Sequence, residues 1–103
     1  MLQATKIVEL KKILSENSFV VVDFYTQTCP PCKKIAPLYD TLPEKFPHIT
    51  FIKVDCGECN EIAPVYKVGA VPTFIFFKNG KVANTQHGAN EKELVDAIEK
   101  HFA

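Results

Sequence analysis

One segment constrains the fold more than any other: Phe19-Val20-Val21-Val22-Asp23-Phe24-Tyr25, apolar almost without a break. A membrane helix needs about 20 such residues, so this run is far too short to be one. It has no polar face, which reads as a strand covered on both sides, the situation of a parallel sheet. Ile49 to Val54 reads as a second central strand. Between them a long helix is expected from Cys29 toward Phe46, carrying Ile35, Leu38, Tyr39 and Leu42. Parallel neighbours need a crossover of that kind. Pro37 lies inside the helix and is expected to kink it, because it lacks a backbone donor and its ring crowds the preceding turn.

The flanks continue the alternation. Thr5 is placed to cap a first helix whose Ile7, Val8, Leu10, Ile13 and Leu14 follow helical spacing, and Glu16-Asn17-Ser18 ends it. Glu58 to Val68 is expected as a shorter helix interrupted by Pro64. Thr73 to Lys78 and Lys81 to Thr85 flank Asn79-Gly80, a strong two-residue hairpin signal. Asn90 caps a last helix, with Glu93 three residues on and an apolar face of Leu94, Val95, Ile98 and Phe102. The order α-β-α-β-α-β-β-α gives an α/β fold with a mixed sheet, its parallel pairs joined by helices and one hairpin at the end. No repeat, low-complexity stretch or linker divides the chain, so residues 1–103 are expected to form one domain.

A chain of 103 residues, 47% of them hydrophobic, buries a core without disulfide staples. Its four cysteines therefore need another reason. The 12 basic residues are all lysine and are balanced by 12 acidic ones. That argues against a nucleic-acid partner, which calls for a basic surplus and arginine forks. The start, Met-Leu-Gln-Ala-Thr-Lys, shows no signal-peptide pattern, and no membrane segment is visible. The expected compartment is the reducing cytoplasm, where paired cysteines are catalytic or metal-binding more often than structural.

Cys29-Pro30-Pro31-Cys32 falls where the first buried strand ends and a helix begins. The free N–H groups and dipole of a helix start stabilise a thiolate. Pro30 suits the first helical position, and Lys33 and Lys34 add positive charge. All of this lowers the pKa of Cys29. The i, i+3 spacing puts Cys32 on the same face, one turn away, where it can resolve a mixed disulfide. Two small buried hydrophobes, or half of a zinc site, remain the competing readings of this pair.

The surrounding segments resemble the thioredoxin family over nearly the whole chain. Val21-Val22-Asp23-Phe24-Tyr25, Cys29-Pro30-Pro31-Cys32-Lys33 and Ile35-Ala36-Pro37 are similar to its active-site region. Phe51-Ile52-Lys53-Val54-Asp55 is similar to a central strand, Val71-Pro72-Thr73-Phe74 to its cis-proline loop, and Phe77-Lys78-Asn79-Gly80-Lys81 with Gly88 to its hairpin and groove. The resemblance implies a thioredoxin fold, a central mixed sheet with helices on both faces. It implies a redox-active Cys29–Cys32 disulfide, with Cys29 the exposed nucleophile and Cys32 the buried resolving thiol. Asp23 becomes the carboxylate behind them. Burial should raise its pKa, so that it accepts the Cys32 proton through water, with Lys53 one strand over as its partner. The resemblance also implies a cis Val71–Pro72 bond, with Val71 pairing to an extended substrate and Gly88 and Ala89 forming the other wall. The implied activity is reduction of protein disulfides without a bound cofactor, recharged by an NADPH-fed flavoprotein reductase. The chain is expected to work as a monomer.

Two positions depart from the family pattern of Trp-Cys-Gly-Pro-Cys. Thr28 replaces the tryptophan, removing a large contact surface beside the disulfide, and Pro30 replaces the glycine. The second change stiffens the bridge and deletes an N–H near the sulfurs, which should alter the dithiol–disulfide balance and leaves an oxidase or isomerase as the nearest alternative activity. A non-catalytic adaptor is a third reading.

Cys56-Gly57-Glu58-Cys59 is a second Cys-x-x-Cys, also at a strand end. Asp55, Glu58 and Glu61 surround it with negative charge, so a sluggish, non-catalytic pair is expected, either regulatory or filling space. Two such pairs also match a four-cysteine zinc module, although the gap from Cys32 to Cys56 exceeds the common spacing of about 15–20 residues. His48, His87 and His101 lack metal-ligand spacing and are expected at the surface, and Phe24, Phe74, Phe76 and Phe77 in the core.

Overall fold

A computed structural model describes residues 1–102. Nine elements follow in order: β1 (Leu2–Gln3), α1 (Ile7–Glu16), β2 (Phe19–Tyr25), α2 (Pro30–Lys45), β3 (Thr50–Asp55), α3 (Ile62–Val65), β4 (Thr73–Lys78), β5 (Lys81–His87) and α4 (Glu91–Phe102). The strands form one mixed sheet in the order β1-β3-β2-β4-β5. β3 runs parallel to β1 and β2, and β4 antiparallel to β2 and β5. Side chains alternate across a strand, so β2 feeds two cores at once. Val20, Val22 and Phe24 pack with Leu10 and Leu14 of α1 and Ile62 of α3. Val21 packs on the other face with Ile35, Tyr39 and Leu42 of α2 and with Leu94, Ile98 and Phe102 of α4. Period two therefore turns Asp23 toward the α2 face, with Val21. The Tyr39 hydroxyl, fully buried, donates to the carbonyls of Val21 (3.0 Å) and Ile52 (2.8 Å), which fastens α2 to the two central strands.

Several boundaries differ from the sequence reading for local reasons. β1 is an added edge strand; two exposed residues carry no periodic signal. Lys6, not Thr5, is the cap residue of α1. The Glu9 carboxylate reaches back to accept from the Thr5 hydroxyl (2.6 Å), the Thr5 N–H (3.1 Å) and the Lys6 N–H (2.9 Å). Val8 is 67% exposed rather than part of the buried stripe. α2 continues through both Pro37 and Pro43 to Lys45. The expected helix from Glu58 to Val68 shrinks to the four residues of α3. Asp55 captures the N–H groups of Gly57 and Glu58 in a side-chain turn, and Lys67, at φ +58°, ends the helical path. The hairpin turn has the positive φ angles an Asn-Gly turn prefers, +51° and +80°, and β5 runs two residues further than expected, to His87.

Candidate active site

β2 ends at Tyr25, and Thr26-Gln27-Thr28 leads into α2. Cys29 is the cap residue of that helix and is disulfide-bonded to Cys32. The Cys32 N–H donates to the Cys29 sulfur at 3.2 Å, and the Lys33 N–H to the Cys29 carbonyl at 3.1 Å. Pro30 and Pro31 have no N–H, so only one backbone donor of the first turn serves the sulfur. The helix start is thus a leaner anion site than the motif alone suggests. The expected contrast between an exposed and a buried sulfur is also small. Cys29 retains 8% of its surface and Cys32 5%, so both are buried in the disulfide-bonded state. What separates them is the neighbourhood. Cys32 lines a cleft of about 390 Å³ together with Asp23, Lys33 and Lys53.

In that cleft Asp23 is 2% exposed, and its Oδ1 has no hydrogen-bond partner among the described residues. Burial raises its carboxyl from the ordinary 3.8 to about 7; the positive charge of Lys53 opposes the rise and Asp40 adds to it. Lys53 stands beside Asp23 in the parallel register. Its ammonium, however, pairs with Asp40 at 3.7 Å and lies 5.1 Å from the Tyr25 ring centre. The expected partnership with Asp23 is therefore one of field, not of a closed ion pair. Asp40 and Tyr25, which hold the lysine, were not singled out in the sequence; an exposed helix acid and a strand-end tyrosine carry no local signal of that role.

The outer surface is made by the loops. Val71–Pro72 is cis, and the Pro72 carbonyl accepts from the Gly88 N–H at 2.9 Å, tying the two expected walls together. Gly88 has φ +94°, a conformation that favours glycine. Ala89 shares one groove with Pro30 and Pro31, and Thr28 lines another beside Gln27 and Glu58.

The cysteines of the second Cys-x-x-Cys are not bonded to each other: Cys56 is half-buried and Cys59 buried. Burial first, then the negative charge of Asp55, pushes the Cys56 thiol up to about 11 and raises that of Cys59. The Cys59 thiol points at the Ala4 carbonyl, 3.6 Å away. The four sulfurs do not gather into a tetrahedral cluster; among the described residues no three His, Cys, Asp or Glu side chains do.

A disulfide seated at a helix start, with a near-neutral carboxyl in the adjoining cleft, is built for two-electron exchange with other thiols. The class is thiol–disulfide oxidoreductase. A family model described as Thioredoxin matches residues 3–100. The chain belongs to the thioredoxin family, and its activity is that of a protein-disulfide reductase. Thioredoxin 1 of Plasmodium falciparum (isolate 3D7) is 39% identical over 95 residues, covering 92% of this chain and 91% of that protein. A solved structure of Plasmodium falciparum thioredoxin superposes at a TM-score of 0.96 with 38% identity, covering 100% of each chain. A 35% identical segment also lies within the peptide-N(4)-(N-acetyl-beta-glucosaminyl)asparagine amidase of Caenorhabditis briggsae; it covers 98% of this chain, which spans 17% of that protein's length.

Proposed function

We propose that Cys29 is the attacking thiol and Cys32 the resolving one. The Cys29 thiolate attacks one sulfur of a protein disulfide; that bond breaks, and the first substrate sulfur leaves as a thiolate that takes up a proton. Cys32 then gives its proton to Asp23 through water in the shared cleft and attacks the Cys29 sulfur. The second substrate thiol is released and the Cys29–Cys32 disulfide forms. The observation that carries this reading is the buried Asp23 with its pKa near 7, in the same cleft as Cys32. A base poised there is efficient at neutral pH. Lys53, held by Asp40 and Tyr25, keeps that carboxyl from rising further. Thr28, Pro30, Pro31, Val71, Pro72, Gly88 and Ala89 form the docking surface, with the Val71 backbone offered to an extended substrate strand.

The chain acts as one domain over residues 1–103, a monomer in the cytoplasm, recharged by an NADPH-dependent flavoprotein reductase and needing no bound cofactor. The large apolar side chains left exposed are few: Met1 and Leu2 at the start of the sequence, Val8 on α1, Val65 on α3 and Val82 on β5, a small number that supports the monomer. The test is the reduction potential of Cys29–Cys32 in a glutathione series, with Cys56 and Cys59 changed to serine. A value well below that of glutathione is expected. A clearly more oxidising value would overturn the reductase direction in favour of oxidase or isomerase work.

A further inference from the structure

Two grooves meet the active-site turn, one on each side of Cys29 in the chain, and their charges differ. The groove formed by residues after Cys29, about 530 Å³, is lined by Pro30, Pro31, Lys34, Ala89 and Asn90. Lys34 is its one ionisable residue. It is exposed and has no ion-pair partner among the described residues, so its ammonium is free; Glu91, next to Asn90, does not line the groove. The groove formed by residues before Cys29, about 300 Å³, is lined by Thr26, Gln27 and Thr28 together with Asp55, Gly57 and Glu58. Asp55 is buried, and its two oxygens are occupied by Gln27 Nε2 (2.9 Å) and by the N–H groups of Gly57 and Glu58. The Glu58 carboxylate is exposed and has no ion-pair partner among the described residues.

We infer that these grooves select disulfide segments of opposite charge on their two sides: an acidic residue at Lys34 and a basic residue at Glu58. This rests on the reductase reading and names its substrate class. An extended segment advances about 3.3 Å per residue, so side chains two residues either side of the attacked cysteine are separated by roughly 13 Å and lie on opposite sides of the cysteine's own position. Lys34 offers a mobile point charge on an apolar floor of prolines and alanine, a setting that selects a carboxylate without demanding one shape. Exposed pairs are individually weak, so the preference is a matter of roughly threefold per matched charge, fading with salt.

The test uses the reduced 103-residue chain and four peptide disulfides of one sequence, with Glu/Lys, Lys/Glu, Glu/Glu or Lys/Lys placed two residues before and after the target cysteine. Neutral 2-hydroxyethyl disulfide serves as a charge-blind control. One of the two mixed-charge peptides is expected to exceed its reversal by about tenfold in kcat/KM at low salt, the product of two matched charges. Lys34→Glu should invert the preference for acid, Lys34→Met should erase it, and Glu58→Lys should invert the preference for base, each peptide rate being taken relative to the same variant's reduction of the neutral disulfide, which absorbs any change in the Cys29 thiol itself. Equal rates for the four peptides, with the neutral disulfide still reduced, would overturn the charge selection and leave the reductase reading standing. Failure to reduce any disulfide would overturn both.

Discussion

The chain carries the same spacing of two cysteines twice, beyond the ends of two neighbouring parallel strands, and surrounds the two pairs differently. Cys29 caps a helix of 16 residues, whereas Cys56 and Cys59 sit in a turn before a helix of four. The Cys29–Cys32 pair faces lysines and a carboxyl that is half protonated near pH 7. The Cys56–Cys59 pair faces Asp55, Glu58 and Glu61, all of them negative, and its thiols are raised. Spacing alone therefore does not define a redox site. The helix dipole, the sign of the nearest charge and the presence of a proton acceptor decide it.

The comparison breaks most sharply by deleting sulfurs. Cys29→Ser is expected to lower protein-disulfide reduction by about a thousandfold or more, as loss of an attacking nucleophile does. Changing Cys56 and Cys59 together to serine should leave the rate within about twofold. Insulin reduction measured at constant NADPH recycling checks both. A large loss in the double variant would make the two pairs functional partners.

Asp23 supplies the next largest effect. Its folded pKa of about 7 lies above the ordinary 3.8, so between these values the native state holds a proton that the unfolded chain has released. Stability thus falls as pH rises from about 4 to about 7 and is flat beyond. At 1.36 kcal/mol per pH unit the span amounts to about 4 kcal/mol. Asp23→Asn should remove this slope and be more stable than the native sequence at pH 8, while slowing release from the mixed disulfide. Urea unfolding at pH 5 and pH 8 gives the stability, and stopped-flow resolution of the mixed disulfide gives the rate. A variant as pH-sensitive as the parent would mean that the carboxyl is already charged at low pH.

Thiol reactivity gives a smaller contrast. A thiol at about 11 is roughly 0.01% thiolate at pH 7, against about 3% for an ordinary one at 8.5, and the greater nucleophilicity of the weaker acid recovers part of that difference. In the reduced protein, iodoacetamide at pH 7 should label Cys29 at least about tenfold faster than Cys56, and Cys59 more slowly than Cys29. Peptide mapping after timed quenching reads these rates. Equal labelling would show that the negative turn does not restrain its thiols.

Much of this contrast was legible in residue order. The apolar run of β2 with Asp23 inside it, the Asn-Gly hairpin and the helix-start placement of Cys29 are local signals, and the sheet and its two cores follow from them. The acidic setting of Cys56 was legible too, since those charges are neighbours in sequence. Contacts between distant side chains were not. Asp40 holding Lys53, and Tyr39 reaching two strand carbonyls, depend on how α2 lies across the sheet. β1 and the shortened α3 escaped for a different reason: their backbone paths are fixed by pairing with β3 and by the Asp55 carboxylate, not by periodicity.

Two hydrogen bonds join the two regions. Gln27, in the loop before Cys29, donates its Nε2 to Asp55 Oδ2 at 2.9 Å, and the Cys56 N–H donates to the Tyr25 carbonyl at 2.8 Å. Asp55 therefore holds the Cys56–Cys59 turn with one oxygen and the loop before Cys29 with the other. Gln27→Ala leaves that other oxygen of a buried carboxylate without its protein donor, which costs about 1–2 kcal/mol. If the bond serves only to fix the loops, thermal unfolding should shift by that amount and Cys56 labelling should stay slow. If it also shields Cys56 and Cys59, hydrogen exchange at Gly57 and Glu58 should rise and Cys56 labelling accelerate together. The former pattern keeps the two pairs energetically separate, each set by its own neighbourhood. The latter makes the loop before Cys29 part of what keeps Cys56 quiet, and the contrast between the pairs then depends on one glutamine.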